Sequence, residues 1–192
     1  MFPLVADLRG RRVVVIGAGR VGVDKAATLL ECGALVTLIS DQILAPLPEG
    51  LEQVLVRPYE AGDLAGALLV VAATANPTAN DAIVREATER GVLVNVVDDL
   101  ARSNFYFTAN YRDGDVLVSV STAGASPALA QWVRNRVAGV LPSNLAHVAR
   151  QLRQERAQLH DAGESTERRP WTQRVAELVA QSGDAENSGP RG

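Results

Sequence analysis

The ten residues from Val13 to Gly22, Val-Val-Val-Ile-Gly-Ala-Gly-Arg-Val-Gly, constrain the fold of this chain more than any other stretch. Four consecutive β-branched apolar residues predict a strand buried on both faces, as in a parallel sheet. The glycines at 17, 19 and 22 fit the dinucleotide-binding fingerprint. Their roles differ. Gly17 makes the tight turn, Gly19 lets backbone approach a pyrophosphate, and Gly22 allows close helix–strand packing. The helix that they open would aim free N–H groups and its positive dipole end at that pyrophosphate. Gly17, Ala18, Gly19, Arg20, Val21 and Gly22 are therefore the candidate cofactor loop. Glycine-rich turns are common, but here a strand pattern precedes the turn and a helical pattern follows it.

The rest of the first half repeats that alternation. Phe2 to Leu8 reads as a short edge segment leading to a turn at Arg9-Gly10. Strands are predicted over Arg12–Ile16, Leu35–Ile39, Val54–Arg57, Leu68–Ala73 and Val92–Val97. Helices are predicted from Val21 to about Gly33 and from Ala79 to Arg90, the latter stopped by Gly91. Strands alternating with helices give an α/β, Rossmann-like, doubly wound parallel sheet. Its ligand belongs at the carboxyl ends of the strands, which brings together Gly17–Gly22, Ser40-Asp41, Thr74–Asn76 and Asp98-Asp99. Asp41 lies 19 residues past Gly22, the spacing of the acidic residue that binds the ribose hydroxyls of NAD. It reads equally as a helix cap or a solvated loop carboxylate. Asp98 reads as a base at the ligand edge or as a turn residue, and sequence physics alone divides these evenly.

After Asp99 the pattern changes. Phe105-Tyr106-Phe107 marks a handover between domains, and Val116–Val120, bounded by Asp113-Gly114, predicts a hairpin strand. Ser121 to Pro127 is a loop of small residues entering a helix that ends near Gly139. Two further amphipathic helices are predicted over Leu145–Leu159 and Trp171–Val179, before a polar, disordered tail.

Composition excludes several classes. A formal charge of −3 and a pI near 5.4 give no reason to expect nucleic acid as a partner. No apolar run approaches the length of a membrane span, and the N-terminus lacks a signal-peptide pattern. The single cysteine, Cys32, excludes a disulfide framework and suits a cytoplasmic setting; it reads as a small apolar helix residue. His147 and His160 stand 13 residues apart with no His/Cys cluster, so no metal site is expected.

Five stretches together resemble one family, the precorrin-2 dehydrogenases, which also form the N-terminal module of siroheme synthases. They are Phe2-Pro3-Leu4 with Leu8-Arg9-Gly10-Arg11; the fingerprint with Lys25 and Leu29–Ala34; Ala72-Ala73-Thr74 with Asn80; Asn95-Val96-Val97-Asp98 with Phe105 and Phe107; and Ser119–Ala130, which contains Gly124-Ala125-Ser126-Pro127. Leu141-Pro142 and Arg168-Arg169-Pro170-Trp171 are weaker echoes. The resemblance implies NAD-dependent oxidation of precorrin-2 to sirohydrochlorin on the way to siroheme or cobalamin, with iron or cobalt insertion (a ferrochelatase, lyase activity) in some members. It implies NAD as cofactor and a homodimer. It divides the chain into an NAD-binding domain (1–108), a small α+β dimerisation segment (109–142), a helical C-terminal part (143–181) and a tail (182–192). No methyltransferase segment is present, so precorrin-2 is expected from a separate enzyme. Asp98 matches the family's catalytic aspartate, a base worth about 100- to 10,000-fold in rate. Ser40, Asp41, Thr74, Asn76 and Val97 join the fingerprint as cofactor contacts. The position after Thr74 is alanine, where relatives often carry an acidic or amide residue. Ser121, Thr122, Gly124, Ala125 and Ser126 are expected to cradle substrate carboxylates through N–H groups and hydroxyls. Arg102, Arg112, Arg134 and Arg136 are further candidates for a polycarboxylate substrate. Two other readings compete. A non-catalytic NAD-sensing module explains the fingerprint and Asp41 but has no use for Asp98 or the Gly124–Pro127 loop. A short-chain-type dehydrogenase needs a Tyr-x-x-x-Lys pair that the chain lacks.

Overall fold

The structure is a computed structural model that describes residues 1–167 and 169–186. It contains two compact units, Met1–Tyr106 and Phe107–Gly192.

The first unit is built on five parallel strands, β1 (Arg12–Ala18), β2 (Leu35–Ile43), β3 (Gln53–Val56), β4 (Leu69–Ala72) and β5 (Leu93–Val96), in the order β3-β2-β1-β4-β5. The chain starts in the middle, steps outward to β3, then crosses back to β4 and β5. Helix α1 (Arg20–Glu31) joins β1 to β2, and α2 (Pro77–Arg90) joins β4 to β5. Right-handed crossovers running in opposite directions place these helices on opposite faces. The switch in direction lies between β1 and β4, where such sheets bind ligands.

Covering both faces is why the strands read as unbroken apolar runs. Val14, Ile16, Val70, Ala72, Val94 and Val96 pack with Ile83 and Ala87 of α2. The alternate residues Val13, Val15, Val36, Leu38 and Val71 are fully buried as well, and α1 buries Val23, Ala26 and Leu29. No helix joins β3 to β4. The segment 57–68 turns over the α2 face instead and inserts the fully buried Leu64 into its core.

Glu86 of α2 organises that segment. Its carboxylate accepts hydrogen bonds from the Tyr59 hydroxyl, from the backbone N–H of Gly62 (2.9 Å) and Leu64 (3.3 Å), and from Arg90 Nε (2.6 Å). Burial alone would raise the Glu86 pKa, but these donors outweigh it and hold the group below the ordinary glutamate range. Burial and the bond to Glu86 push the Tyr59 hydroxyl up. Because the folded value of Glu86 is depressed, its stabilisation is complete above the unfolded pKa and is lost as pH falls through the folded one. Glu86→Gln leaves several donors poorly matched, so a loss of about 1–3 kcal/mol is expected. Urea denaturation at pH 7 and pH 4 checks it, since the gap between wild type and variant should narrow at the lower pH.

Three local expectations change. Residues 2–8 form no strand; Met1, Phe2, Leu4 and Val5 are exposed and only Leu8 is buried. β2 runs on to Ile43, so Ser40 and Asp41 lie inside the strand rather than in a loop. This follows from a register shift in β1 between Ile16 and Ala18 that pairs Ala18 with Ile43. Cys32 is exposed and caps α1 at its C-terminal end instead of sitting within it.

In the second unit, β6 (Ala109–Asp113) and β7 (Val116–Val120) form an antiparallel hairpin, followed by α3 (Pro127–Ala138), α4 (Leu145–Asp161) and α5 (Trp171–Glu186). Asp113 Oδ2 accepts from the Ala146 N–H (2.9 Å), supplying α4 with the side-chain cap that its own Asn144 does not provide. Arg174 Nη2 ties α5 to Glu155 of α4 at 2.6 Å. α5 extends to Glu186, beyond the expected end at Val179. Arg168 and residues 187–192 of the expected tail lie outside the described residues. Among the described residues, no helix is long and apolar enough to cross a membrane.

Candidate functional site

The glycines of the β1–α1 turn have distinct steric surroundings. Gly17 has φ +104°, and a Cβ there would lie 2.4 Å from the Ala73 carbonyl oxygen. A Cβ on Gly22 would lie 2.0 Å from the Gly17 carbonyl oxygen. Both positions exclude a side chain because backbone already fills the space. Gly19 differs: a Cβ there would meet nothing within 4 Å. Open space therefore lies beside the residue whose backbone a pyrophosphate must approach.

The start of α1 is open electrically as well. Its N-cap, Gly19, supplies no side-chain bond, and the first turn contains no acidic residue. By contrast, Asn76 Oδ1 caps α2 by accepting from Thr78 N–H (3.0 Å) and Ala79 N–H (3.2 Å), and Ser126 Oγ caps α3 through Leu129 N–H (3.1 Å). The leading N–H groups of α1 thus keep their positive field for an external anion. These features fit a dinucleotide's pyrophosphate at the start of α1, which Gly19, Arg20, Val21 and Gly22 would hold.

The flanking positions divide into braces and free groups. Ser40 is buried, and its Oγ accepts from Ala18 N–H (3.1 Å) and donates to the Gln42 carbonyl (2.7 Å). That hydroxyl holds the register shift together. Asp41, next to it, is exposed, and no partner occupies its carboxylate among the described residues. Thr74 Oγ1 accepts from Asn76 N–H (3.1 Å), and Asn76 Oδ1 is committed to α2. Both therefore shape the β4–α2 turn. Asn80, given no separate role by sequence reasoning, anchors the same turn: it is buried, and its Nδ2 donates to the Thr74 carbonyl (3.1 Å). Its Oδ1 has no partner among the described residues. An amide one turn into a helix, among apolar neighbours, was the available signal.

Past β5, the N–H of Val97 continues the ladder to the Ala72 carbonyl (2.9 Å). Asp99 N–H then closes a tight turn onto the Val96 carbonyl (3.1 Å). Asp98, at the bend of that turn, has φ +61°, a left-handed conformation uncommon outside glycine. Its side chain is exposed and unpaired among the described residues. Its neighbour is the opposite: Asp99 accepts from Arg102 Nε (2.6 Å) and from the Arg102 N–H (3.0 Å), which hold its carboxyl below the ordinary range. Asp99 is occupied structurally, whereas Asp98 has no partner among the described residues. Arg102, a candidate for substrate carboxylates, is committed to Asp99 and Asp81.

In the second unit, the loop 121–126 spends most of its hydroxyls on itself. Thr122 Oγ1 accepts from Ser126 N–H (3.1 Å) and donates to the Ser126 carbonyl (3.0 Å), while Ser121 Oγ accepts from Ala123 N–H (3.2 Å). Ala123 has φ +56° and Gly124 φ +83°. The loop is thus a preformed backbone turn whose hydroxyls set its shape. Of the other arginines, Arg136 stacks over the Trp132 ring at 5.4 Å, and Arg134 Nε is buried without a partner among the described residues.

A family model described as "Putative NAD(P)-binding" matches residues 4–109, more than half of the chain. The chain belongs to this NAD(P)-binding family. A second model, described as "Sirohaem biosynthesis protein central", matches residues 113–139, a span covering β7, the 121–126 loop and α3. The chain is 37% identical over 162 residues to the siroheme synthase of Azotobacter vinelandii, covering 82% of this chain and 35% of that protein. It is 36% identical over 198 residues to siroheme synthase 1 of Serratia proteamaculans, covering 96% of this chain and 41% of that protein. The chain therefore spans about two fifths or less of these curated relatives. The solved structure of SirC, a precorrin-2 dehydrogenase, superposes with a TM-score of 0.68 at 22% identity over 94% of this chain and 88% of that one. That likeness establishes the shared fold. Membership of the NAD(P)-binding family agrees with the open N-terminus of α1, the feature that best explains why this helix alone among α1, α2 and α3 lacks a side-chain cap.

Proposed function

We propose that this chain is an NAD-dependent dehydrogenase that oxidises precorrin-2 to sirohydrochlorin in siroheme or cobalamin synthesis. The observation that carries this reading is Asp98, an exposed, unpaired carboxylate at the ligand edge of an NAD(P)-binding sheet. Asp41 on β2 and Asp98 after β5 lie on opposite sides of the β1–α1 turn in strand order. Asp41 would hold the adenosine ribose hydroxyls of NAD, and Asp98 would serve its nicotinamide end. Bound NAD+ supplies the hydride acceptor. The Asp98 carboxylate takes the proton that leaves the substrate as the hydride departs, so two electrons and two protons leave the macrocycle in all. The SirC likeness and the similarity to siroheme synthases support this choice of substrate.

The carboxylate of Asp41 also favours NAD over NADP, because a 2′-phosphate there would meet a like charge. Asp41→Ala is expected to raise KM for NAD about 10- to 100-fold, the worth of a hydrogen bond to a charged group, with kcat little changed. Initial rates at saturating tetrapyrrole measure both.

The 121–126 loop offers the substrate carboxylates a preformed backbone turn, with its hydroxyls keeping the shape. A homodimer is part of the same reading, supported by the exposed Leu129 and Trp132 on α3. A cytoplasmic location is supported by the lone cysteine. The deciding experiment is an anaerobic assay with purified protein, NAD+ and enzymatically made precorrin-2, following NADH and the sirohydrochlorin spectrum. Turnover establishes the dehydrogenase. Tight NAD binding without oxidation would instead leave a non-catalytic NAD-sensing module.

A further inference from the structure

We infer that Arg102 is a positioning residue that holds Asp98 in its left-handed conformation by clamping the turn between two other carboxylates. The inference deepens the dehydrogenase reading and rests on it for the kinetic consequence, though not for the conformational one.

The turn needs holding. Asp98 is one of two non-glycine residues at positive φ among those described. For an L-residue this region is disfavoured, less for Asp than for most, and it persists where surroundings over-determine it. A single backbone bond, Asp99 N–H to the Val96 carbonyl, closes the turn from inside. From outside, the turn is held by the Arg102 side chain, by the Arg102 N–H on Asp99 Oδ1 (3.0 Å) and by Ser103. Arg102 Nε donates to Asp99 Oδ2 at 2.6 Å and its Nη1 to Asp81 Oδ1 at 2.6 Å. Asp81 belongs to α2, so the guanidinium ties the residue directly after Asp98 to a rigid helix. The planar fork allows this two-directional grip, which a lysine's single ammonium reproduces only in part. Ser103 holds the other side, its Oγ accepting from Val96 N–H (2.9 Å) and donating to the Asp99 carbonyl (2.6 Å). Asp99 is thus gripped by side chain and carbonyl while Asp98 remains unpaired. The arrangement leaves the Asp98 carboxylate free while Arg102 pairs with Asp99 and Asp81.

The test compares Arg102→Met, which removes both side-chain bonds and leaves the backbone N–H on Asp99 in place, with Arg102→Lys, which keeps the charge. Conformation is read by NMR on the full chain. A residue at positive φ gives a strong intraresidue HN–Hα cross-peak, and negative φ weakens it. The Asp98 peak should weaken most in Arg102→Met and less in Arg102→Lys. In the precorrin-2 assay, Arg102→Met should lose about 10- to 100-fold in kcat, the effect of misplacing a reacting group by about 1 Å. KM for NAD should be unchanged. Because Arg102 acts through Asp98, adding Arg102→Met to Asp98→Asn should cost nothing further. A merely structural role would lower NAD affinity and turnover together and add to the Asp98→Asn loss. An unchanged Asp98 cross-peak in Arg102→Met overturns the inference. If the wild-type protein does not oxidise precorrin-2, the dehydrogenase reading falls, and the cross-peak alone still decides whether Arg102 holds the turn.

Discussion

Replacing Asp98 by asparagine is expected to abolish most turnover, by about 100- to 10,000-fold, the contribution of a well-placed general base. The choice of asparagine matters. Asp98 has φ +61°, and asparagine is among the few side chains that tolerate this region, so Asp98→Asn removes the ionisable oxygen and keeps the turn. Alanine confounds the two, since a left-handed alanine costs about 1–2 kcal/mol. Asp98→Gly offers a further control, with a relaxed backbone and no carboxylate. Stability by urea denaturation and NAD affinity by calorimetry should match wild type in Asp98→Asn while the anaerobic assay falls to near background. A variant that retains a tenth or more of wild-type kcat would remove Asp98 as the base.

The second large effect separates two glycines only three residues apart. Gly22→Ala places a Cβ 2.0 Å from the Gly17 carbonyl oxygen. Backbone must move, and a loss of about 3 kcal/mol or more follows, at or beyond the upper end of usual overpacking costs. Set against total stabilities of about 5–15 kcal/mol, that is enough to threaten folding. Gly19→Ala meets no atom within 4 Å, and its φ of −76° suits any L-residue. Its stability should stay within about 1 kcal/mol of wild type. Its NAD affinity should fall on the order of 100-fold, or about 2.7 kcal/mol, because the added methyl occupies the approach to the helix N-terminus. Thermal melts and calorimetry on the two variants should therefore give opposite patterns. Loss of affinity without loss of stability in Gly19→Ala places the ligand; equal losses in both would show that Gly19 is structural.

The features most legible in the sequence were those governed by local chemistry. Val13 to Ile16 could be a buried strand and little else, and Gly17 and Gly22 mark positions where backbone leaves no room for a Cβ. β6 was not legible, because Ala-Asn-Tyr-Arg-Asp alternates only through Ala109 and Tyr111, too short a pattern to stand alone, and its pairing comes from β7. The extension of β2 was hidden for a related reason: the register shift depends on a hydrogen bond from Ala18 to Ser40, two residues brought together only by the sheet. The same applies to Ser40 and Asn76, whose side chains could serve a ligand or the backbone, and tertiary geometry gives them to the backbone. Family resemblance drew attention to Asp98. It could not reveal the left-handed backbone there, which depends on how the turn after β5 closes, or that Arg102 also reaches Asp81, which depends on where α2 lies.

The uncapped start of α1 also affects the energetics of the whole molecule. Helices α2 and α3 supply their own N-terminal acceptors and α4 borrows one from Asp113, whereas α1 has no side-chain acceptor at its N-cap. Folding and cofactor occupancy are then linked by mass action. At a free ligand concentration 100 times its Kd, the native state gains about 2.7 kcal/mol over the unfolded chain. The resistance of this domain to heat or proteolysis is consequently no fixed property of its sequence, but follows the concentration of dinucleotide around it.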